Sequence, residues 1–238
     1  VTYDITYELD GGVNDTSNPS TYTIETPEIT LAAATKEGYR FDGWWDAASG
    51  GNQVTSIVKG STGNMTLYAR WTANTYKVTF DANGGTVASP ASKDVTYADT
   101  YGDLATTTRT GYSFNGWYTQ ASGGTEITAA TTVSIAADQT LYAQWTAVTY
   151  DITYELDGGV NDTSNPSTYT IETPEITLAA ATKEGYRFDG WWDAASGGNQ
   201  VTSIVKGSTG NMTLYARWTV VTYDITYELD GGVNDTSN

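Results

Sequence analysis

The chain has 238 residues, with 28 acidic against 11 basic side chains, a formal net charge of −17 at pH 7, and neither histidine nor cysteine. This acidic balance argues against binding to nucleic acid or to an anionic membrane, which carry negative charge themselves. Without histidine and cysteine, the chain lacks the commonest general base and the thiol nucleophile. No run approaches the roughly 18 apolar residues that a membrane-spanning helix needs.

Internal repetition dominates the sequence. Residues 1–72 recur unchanged as residues 148–219, and a diverged copy lies between them. The period of 73–74 residues exceeds the roughly 20–50 residues of a solenoid repeat, so each copy can enclose its own core. We therefore expect modules at 1–73, 74–147 and 148–220, followed at 221–238 by the first strand and turn of another copy. The joints between modules lack the Gly, Ser and Pro of flexible linkers, which favours a stiff array of beads on a string.

Taken in chain order, the first module alternates apolar and polar residues over 3–9, which predicts a strand that ends in the turn sequence Asp10-Gly11-Gly12. A second alternating stretch covers 21–25. Residues 29–35 contain the run Leu31-Ala32-Ala33-Ala34, which favours a short helix. Strands are predicted again at 39–45 and 65–71. This order predicts a β-rich α+β fold, with each module a small β-grasp-like unit. All-β sandwich modules are the alternative.

Two motifs occur in every copy. Gly-Tyr-x-Phe-x-Gly-Trp, followed by Trp or Tyr, stands at 38–45 and 111–118, and Leu-Tyr-Ala-x-Trp stands at 67–71 and 141–145. With the Phe-Asp-Ala-Asn-Gly-Gly that opens the middle copy, they resemble the Listeria–Bacteroides repeat, the internalin B-repeat family. The resemblance implies compact β-grasp, ubiquitin-like modules in arrays on extracellular bacterial surface proteins, with no catalytic residues. The first and third copies depart from the pattern with Glu-Leu-Asp-Gly-Gly, which we interpret as a tolerated turn change.

Asp10, Asn14 and Asp15 lie close together in sequence and are weak candidates for calcium ligands, because calcium prefers several oxygen donors in a flexible loop. Their spacing is not that of an EF-hand, and the middle copy does not keep the cluster. Aspartate, asparagine and glycine are also the residues that tight turns use. Turn formation is therefore the favoured interpretation, and neither a metal nor another cofactor is expected.

Adjacent aromatic residues form a second candidate feature. Successive residues of a strand face opposite sides, so only one of Trp44 and Trp45 can enter the same core. The outward aromatic residues Trp45, Tyr118 and Trp192, at matching positions of the three copies, are candidates for stacking on a ligand or on a neighbouring module. A module without cysteine needs large side chains for its core, and we favour that explanation over ligand binding.

These observations together predict a non-catalytic stalk, spacer or fibre segment of an extracellular bacterial surface protein or adhesin. One alternative is a multivalent array that binds host or cell-surface glycan or protein. The other is a self-assembling filament, in which strand addition joins chains through Tyr223, Ile225, Tyr227 and Leu229. The expected partners are neighbouring modules of the same or another chain, without nucleic acid and without membrane insertion by this segment.

Overall fold

The structure is a computed structural model that describes residues 1–233. The first module has seven strands: β1 (Thr2–Glu8), β2 (Thr21–Thr23), β3 (Ile29–Thr30), β4 (Tyr39–Trp45), β5 (Gln53–Val54), β6 (Ser56–Ile57) and β7 (Met65–Ala73). The second has five: β8 (Thr75–Asp81), β9 (Ser92–Thr96), β10 (Tyr112–Tyr118), β11 (Glu126–Ile127) and β12 (Gln139–Ala147). The third has β13 (Thr149–Glu155), β14 (Thr168–Thr170), β15 (Ile176–Thr177), β16 (Tyr186–Trp192), β17 (Gln200–Val201), β18 (Ser203–Ile204) and β19 (Met212–Val220).

Each module is built around one five-stranded sheet. In the first module the order is β2-β1-β7-β4-β5, and β3 pairs separately with β6. Strands β1 and β7 run parallel, with Ile5 opposite Met65 and Tyr7 opposite Leu67, whereas β4 pairs antiparallel with β7. The sheets of the other modules have the orders β11-β10-β12-β8-β9 and β14-β13-β19-β16-β17. The first and last long strands of a module are therefore neighbours in its sheet.

Every module has a core of its own. The most deeply buried large side chains are a tryptophan of β4, β10 or β16 and a leucine of the last strand. These are Trp44 and Leu67, Trp117 and Leu141, and Trp191 and Leu214. The contacts divide the chain into two compact units, of which one contains Val1–Arg109 with Phe114–Trp145, and the other Thr110–Ser113 with the chain from Thr146 onward.

A β-bulge in β4 decides which tryptophan of the pair is buried. The register with β7 shifts between Phe41 and Gly43, where Gly43 adopts a φ of 124° that favours glycine. One extra residue reverses the alternation of side chains. Phe41 and Trp44 therefore share the core face, with ring centroids 5.3 Å apart, and Trp45 lies on the other face.

The α+β β-grasp prediction is wrong, because the described residues form strands and turns but no helix. Where a helix was expected, Ala32 is bound by side chains that are distant in sequence. Its N–H donates to Asn18 Oδ1 (2.8 Å), and its carbonyl accepts from Asn18 Nδ2 (3.0 Å) and Trp44 Nε1 (2.8 Å). These bonds occupy the backbone groups that a helix would use internally. The described residues are all-β, which is the class of the alternative prediction, and their strands form five-stranded and two-stranded sheets.

Candidate functional site

The three calcium candidates make separate local contacts. The Asp10 carboxylate lies 3.3 Å from Lys36 Nζ, and Asn14 Oδ1 accepts from Asn18 Nδ2 (2.8 Å). Asp15 Oδ1 accepts from the hydroxyl (2.6 Å) and the backbone N–H (2.8 Å) of Ser17, and these bonds lower the pKa of the Asp15 carboxyl. Within residues 1–233, no three acidic side chains come together as they would around a metal ion.

The outward tryptophan of the first module stacks on an arginine. Arg70 Cζ lies 4.0 Å from the centroid of the Trp45 ring, and its guanidinium donates to the carbonyls of Ala47 (2.9 Å) and Gly50. Trp192 and Arg217 repeat the stack at 4.0 Å. At the position of Arg70 the second module has Gln144, whose amide donates to the corresponding carbonyls of Gln120 and Gly123. In all three modules, the residue that follows the motif Leu-Tyr-Ala anchors the glycine-rich turn.

Residues 223–229, the candidates for strand addition, do not form a strand in the structure. Tyr223, Ile225, Tyr227 and Leu229 are all exposed, with Tyr223 at 78%. The last five residues of this partial copy, 234–238, lie outside the described part of the chain.

An open groove on the first module brings together residues that are far apart in sequence. Its volume is about 620 Å³, and it is lined by Glu8, Asp10, Lys36, Tyr39, Ala48, Tyr68, Ala69, Arg70 and Trp71. The third module has the same groove, at about 590 Å³, lined by the nine equivalent residues: Glu155, Asp157, Lys183, Tyr186, Ala195, Tyr215, Ala216, Arg217 and Trp218. Strands β1 and β7 position the first and last of these residues, because they pair in parallel and Glu8, at the end of β1, lies opposite Tyr68 in the middle of β7.

Lys36 holds together one side of the groove. Its Nζ donates to the Asp10 carbonyl (2.6 Å), lies 3.3 Å from the Asp10 carboxylate, and stands 4.4 Å above the centroid of the Tyr39 ring. The side chain of Lys36 is 20% exposed, whereas that of Asp10 is 83% exposed. The ammonium is thus fixed by partners, while most of the carboxylate faces solvent.

In the second module, one side chain bridges the corresponding positions. Asn83 stands where the first module has Asp10, and its amide donates to the carbonyls of Ala121 (3.0 Å) and Ala143 (2.9 Å). Those alanines correspond to Ala48 and Ala69 of the groove. A carboxylate cannot donate these bonds. The change from Asn to Asp therefore removes the bridge and leaves the groove open.

Comparison with known proteins identifies the repeat. The profile of the Listeria-Bacteroides repeat domain matches three times, at residues 3–70, 76–144 and 150–217, and so covers most of the chain. The chain belongs to the Listeria–Bacteroides repeat family. The resemblance that the two motifs indicated is thereby confirmed. Proteins of this repeat family are non-enzymatic, and the chain is a non-catalytic segment.

Three relatives are similar in sequence to this chain. A protein of Evansella cellulosilytica, by name a membrane protein, is 31% identical over 95% of this chain and 33% of its own length. Internalin H of Listeria monocytogenes is 34% identical over 72% of this chain and 28% of its own length. A second E. cellulosilytica protein, by name a Gly-rich membrane protein, is 30% identical over 83% of this chain and 24% of its own length. The chain spans about a third or less of each relative. None of the described residues forms a helix long and apolar enough to cross a membrane.

The joint between the first two Listeria–Bacteroides repeats is a single residue. Strand β7 ends at Ala73 and β8 begins at Thr75. The N–H of Asn74, between them, donates to the Gly38 carbonyl, and its carbonyl accepts from the Tyr97 N–H, both at 2.9 Å. The rings of Tyr39 and Tyr97 meet edge to face at 5.5 Å. The linking residue is therefore bonded to both modules.

Sequence reasoning did not find the groove, because its residues come from segments up to about 60 positions apart that meet only through strand pairing. The sequence contains one usable signal. The first and third repeats have Asp10 and Asp157 where the second has Asn83, a difference that we had interpreted as a tolerated turn change. The difference matters because an asparagine amide can donate hydrogen bonds across this part of the surface, whereas an aspartate carboxylate cannot.

Proposed function

We propose that this segment is a stiff spacer in the extracellular part of a bacterial cell-surface protein. The observation that carries the proposal is the joint at Asn74, where one residue links two modules and both of its backbone groups are hydrogen-bonded. A flexible linker would have free backbone groups and a composition rich in Gly and Ser. This joint has neither feature.

Two further properties support the proposal. Each module has a separate core, so modules can be added without rebuilding a shared one. A net charge of −17 keeps a repetitive chain soluble and makes like surfaces repel one another. The relatives named as an internalin and as membrane proteins are consistent with a position at the cell surface.

Small-angle scattering tests the spacer directly. The maximum dimension of the full chain is compared with those of longer chains that contain two and three times as many modules in the natural repeat order. A stiff spacer predicts that the maximum dimension grows in proportion to the number of modules, whereas a flexible chain of modules grows roughly as the square root. Insertion of Gly-Gly-Ser after Asn74 is the matched control, since it leaves both cores intact and should shorten the mean length. Square-root growth in the unmodified chain would contradict the proposal.

Strand addition between chains is a second candidate function. It is favoured by the exposure of alternating apolar residues at Tyr223, Ile225, Tyr227 and Leu229. A filament predicts that scattering mass rises with concentration, and that replacing Ile225 and Tyr227 by Asp abolishes this rise. If the mass per particle stays that of one chain at all concentrations, the segment does not link chains.

A further inference from the structure

We propose that the groove on the first and third modules binds a neutral sugar unit of a glycan, a role beyond that of a spacer. The grooves measure about 620 and 590 Å³, within the roughly 300–1,000 Å³ range of small-molecule sites. They lie open on the surface of the two identical repeats. An open groove suits one or two units of a longer polymer, whose remaining units stay in solvent.

The lining of the groove fits the two faces of a sugar ring. Tyr68 and Trp71 supply aromatic surface, on which the C–H face of a pyranose can stack. Glu8 and Asp10 accept hydrogen bonds, and each sugar hydroxyl can both donate and accept. A purely apolar ligand would displace water from these carboxylates without donating a hydrogen bond to them.

Charge selects a neutral ligand over an anionic one. Two carboxylates, Glu8 and Asp10, balance the two cations Lys36 and Arg70, so the groove has no net charge. Both cationic groups already have hydrogen-bond partners in the protein, because Lys36 Nζ donates to the Asp10 carbonyl and the Arg70 guanidinium donates to the Ala47 carbonyl. The exposed carboxylates and the chain's net charge of −17 repel anionic polymers.

The three modules differ at the position that controls access. Asp10 leaves the Ala48–Ala69 part of the groove unbridged, whereas the Asn83 amide bridges the corresponding Ala121 and Ala143 carbonyls. Sugar binding is therefore assigned to the first and third modules and not to the second. Two sites on one chain, multiplied along an array, bind a repetitive glycan with avidity even where each site is weak.

Nuclear magnetic resonance of the intact 238-residue chain tests this assignment. The probes are neutral pentasaccharides of β-1,4-linked glucose and β-1,4-linked N-acetylglucosamine, with an anionic galacturonate pentasaccharide for comparison. Concentrations extend far enough to measure a dissociation constant on the order of 1 mM. We expect saturable shifts of the indole N–H signals of Trp71 and Trp218 with at least one neutral probe. The Trp145 signal of the second module is the internal control and should not move.

The variant that decides the question is Asp10→Asn with Asp157→Asn. It introduces the residue that the second module carries naturally, so the fold should tolerate it, and we expect binding to weaken about tenfold or more through loss of hydrogen-bond acceptors and of access. Asp4→Asn with Asp151→Asn removes the same charge from exposed positions of β1 and β13 and should bind as the parent does. If the Trp44 and Trp191 signals show that the first variant is misfolded, Glu8→Gln with Glu155→Gln replaces it and should also weaken binding.

Three results would overturn the proposal. The first is the absence of a saturable shift at Trp71 and Trp218 with either neutral probe. The second is unchanged affinity in a correctly folded groove variant. The third is a groove that is saturated by the anionic saccharide while neutral saccharides fail to bind.

Discussion

Gly38 lies directly against the ring of Tyr97. A Cβ on Gly38 would stand 2.3 Å from Tyr97 Cδ1, closer than any side chain tolerates. Gly185, the same residue of the third module, has a φ of 76° against 77° for Gly38, and nothing in the described residues lies within 4 Å of its Cβ position. The same position of the repeat therefore packs against a neighbouring module at Gly38 and against nothing at Gly185, among the described residues, with the same backbone conformation.

Gly38→Ala should therefore destabilise the first joint more than Gly185→Ala destabilises the third module. Both substitutions place Ala in the left-handed region, at a cost of about 1 kcal/mol. Only Gly38→Ala also displaces the Tyr97 ring, and overpacking of this kind costs about 1–3 kcal/mol. Amide hydrogen exchange measures the effect, since the Asn74 and Tyr97 amides lose protection when the joint opens.

Gly185→Ala is the control that isolates the joint from the backbone strain. It should leave the exchange of Asn74 and Tyr97 unchanged. Equal loss of protection at Asn74 in both variants would show that contact with Tyr97 does not hold the two modules together.

Asp46 makes the stability of its turn depend on pH. Its carboxylate accepts from the backbone N–H of Asn52 (2.7 Å) and from the Asn52 amide (3.1 Å). These bonds, with a smaller contribution from Arg70, lower the pKa of Asp46, and the same holds for Asp193. A carboxyl with a lowered folded pKa stabilises the protein above its ordinary value of about 3.9 and loses that contribution as pH falls through the folded value.

Thr119 of the second module provides the comparison. Its hydroxyl accepts the equivalent bond from the Thr125 N–H (3.0 Å) without a titrating group. We expect Asp46→Thr with Asp193→Thr to be less stable than the parent at pH 7, and the difference to shrink below about pH 4. Urea unfolding at pH 7, 4 and 2.5 measures this. A difference that is constant with pH would mean that the carboxylate form contributes nothing to stability.

Substitution of Trp44 tests whether the stability of each module depends on its own core. Its ring is 2% exposed, and its indole N–H donates to the Ala32 carbonyl. Trp44→Ala should destabilise the first module by about 3–5 kcal/mol, while the Trp191 signal of the third module should keep its parent unfolding midpoint. Trp45→Ala, on the opposite face, should cost less. Simultaneous loss of both modules in Trp44→Ala would contradict independent cores.

Local sequence predicted the long strands well. Residues 39–45 were predicted as a strand and form β4, and residues 65–71 are the greater part of β7. The alternation could not show which of Trp44 and Trp45 is buried, because the bulge at Gly43 depends on pairing with β7. The helix predicted at 29–35 failed for a similar reason, since Asn18 and Trp44 bind Ala32 from distant parts of the chain. Secondary-structure propensity reflects interactions between residues that are close in sequence, whereas these contacts join residues that are distant in sequence.

The groove was beyond prediction because no single segment contains it. Glu8 and Arg70 lie in different strands, β1 and β7, whose parallel pairing places the end of β1 beside the middle of β7. Parallel pairing between the first and last strands of a module depends on the topology as a whole, and the alternation of apolar residues does not specify it. Only the difference between Asp10 and Asn83 could be seen in the sequence, and its meaning needed the partners of Asn83.

Asn83 itself gives the last prediction, which concerns stability alone. Its amide bridges the Ala121 and Ala143 carbonyls, and its φ of 47° lies in a region that Asn and Asp tolerate better than Ala. Asn83→Ala should destabilise the second module by about 2–3 kcal/mol, from two lost hydrogen bonds and the left-handed conformation. Asn83→Asp should cost less, because Asp10 holds the same conformation at a φ of 46° and turns its carboxylate toward Lys36, whose counterpart is Arg109. Thermal unfolding followed at the Trp117 indole signal measures both. If Asn83→Ala costs no more than the roughly 1 kcal/mol expected from the left-handed conformation alone, the amide bridge does not stabilise this module.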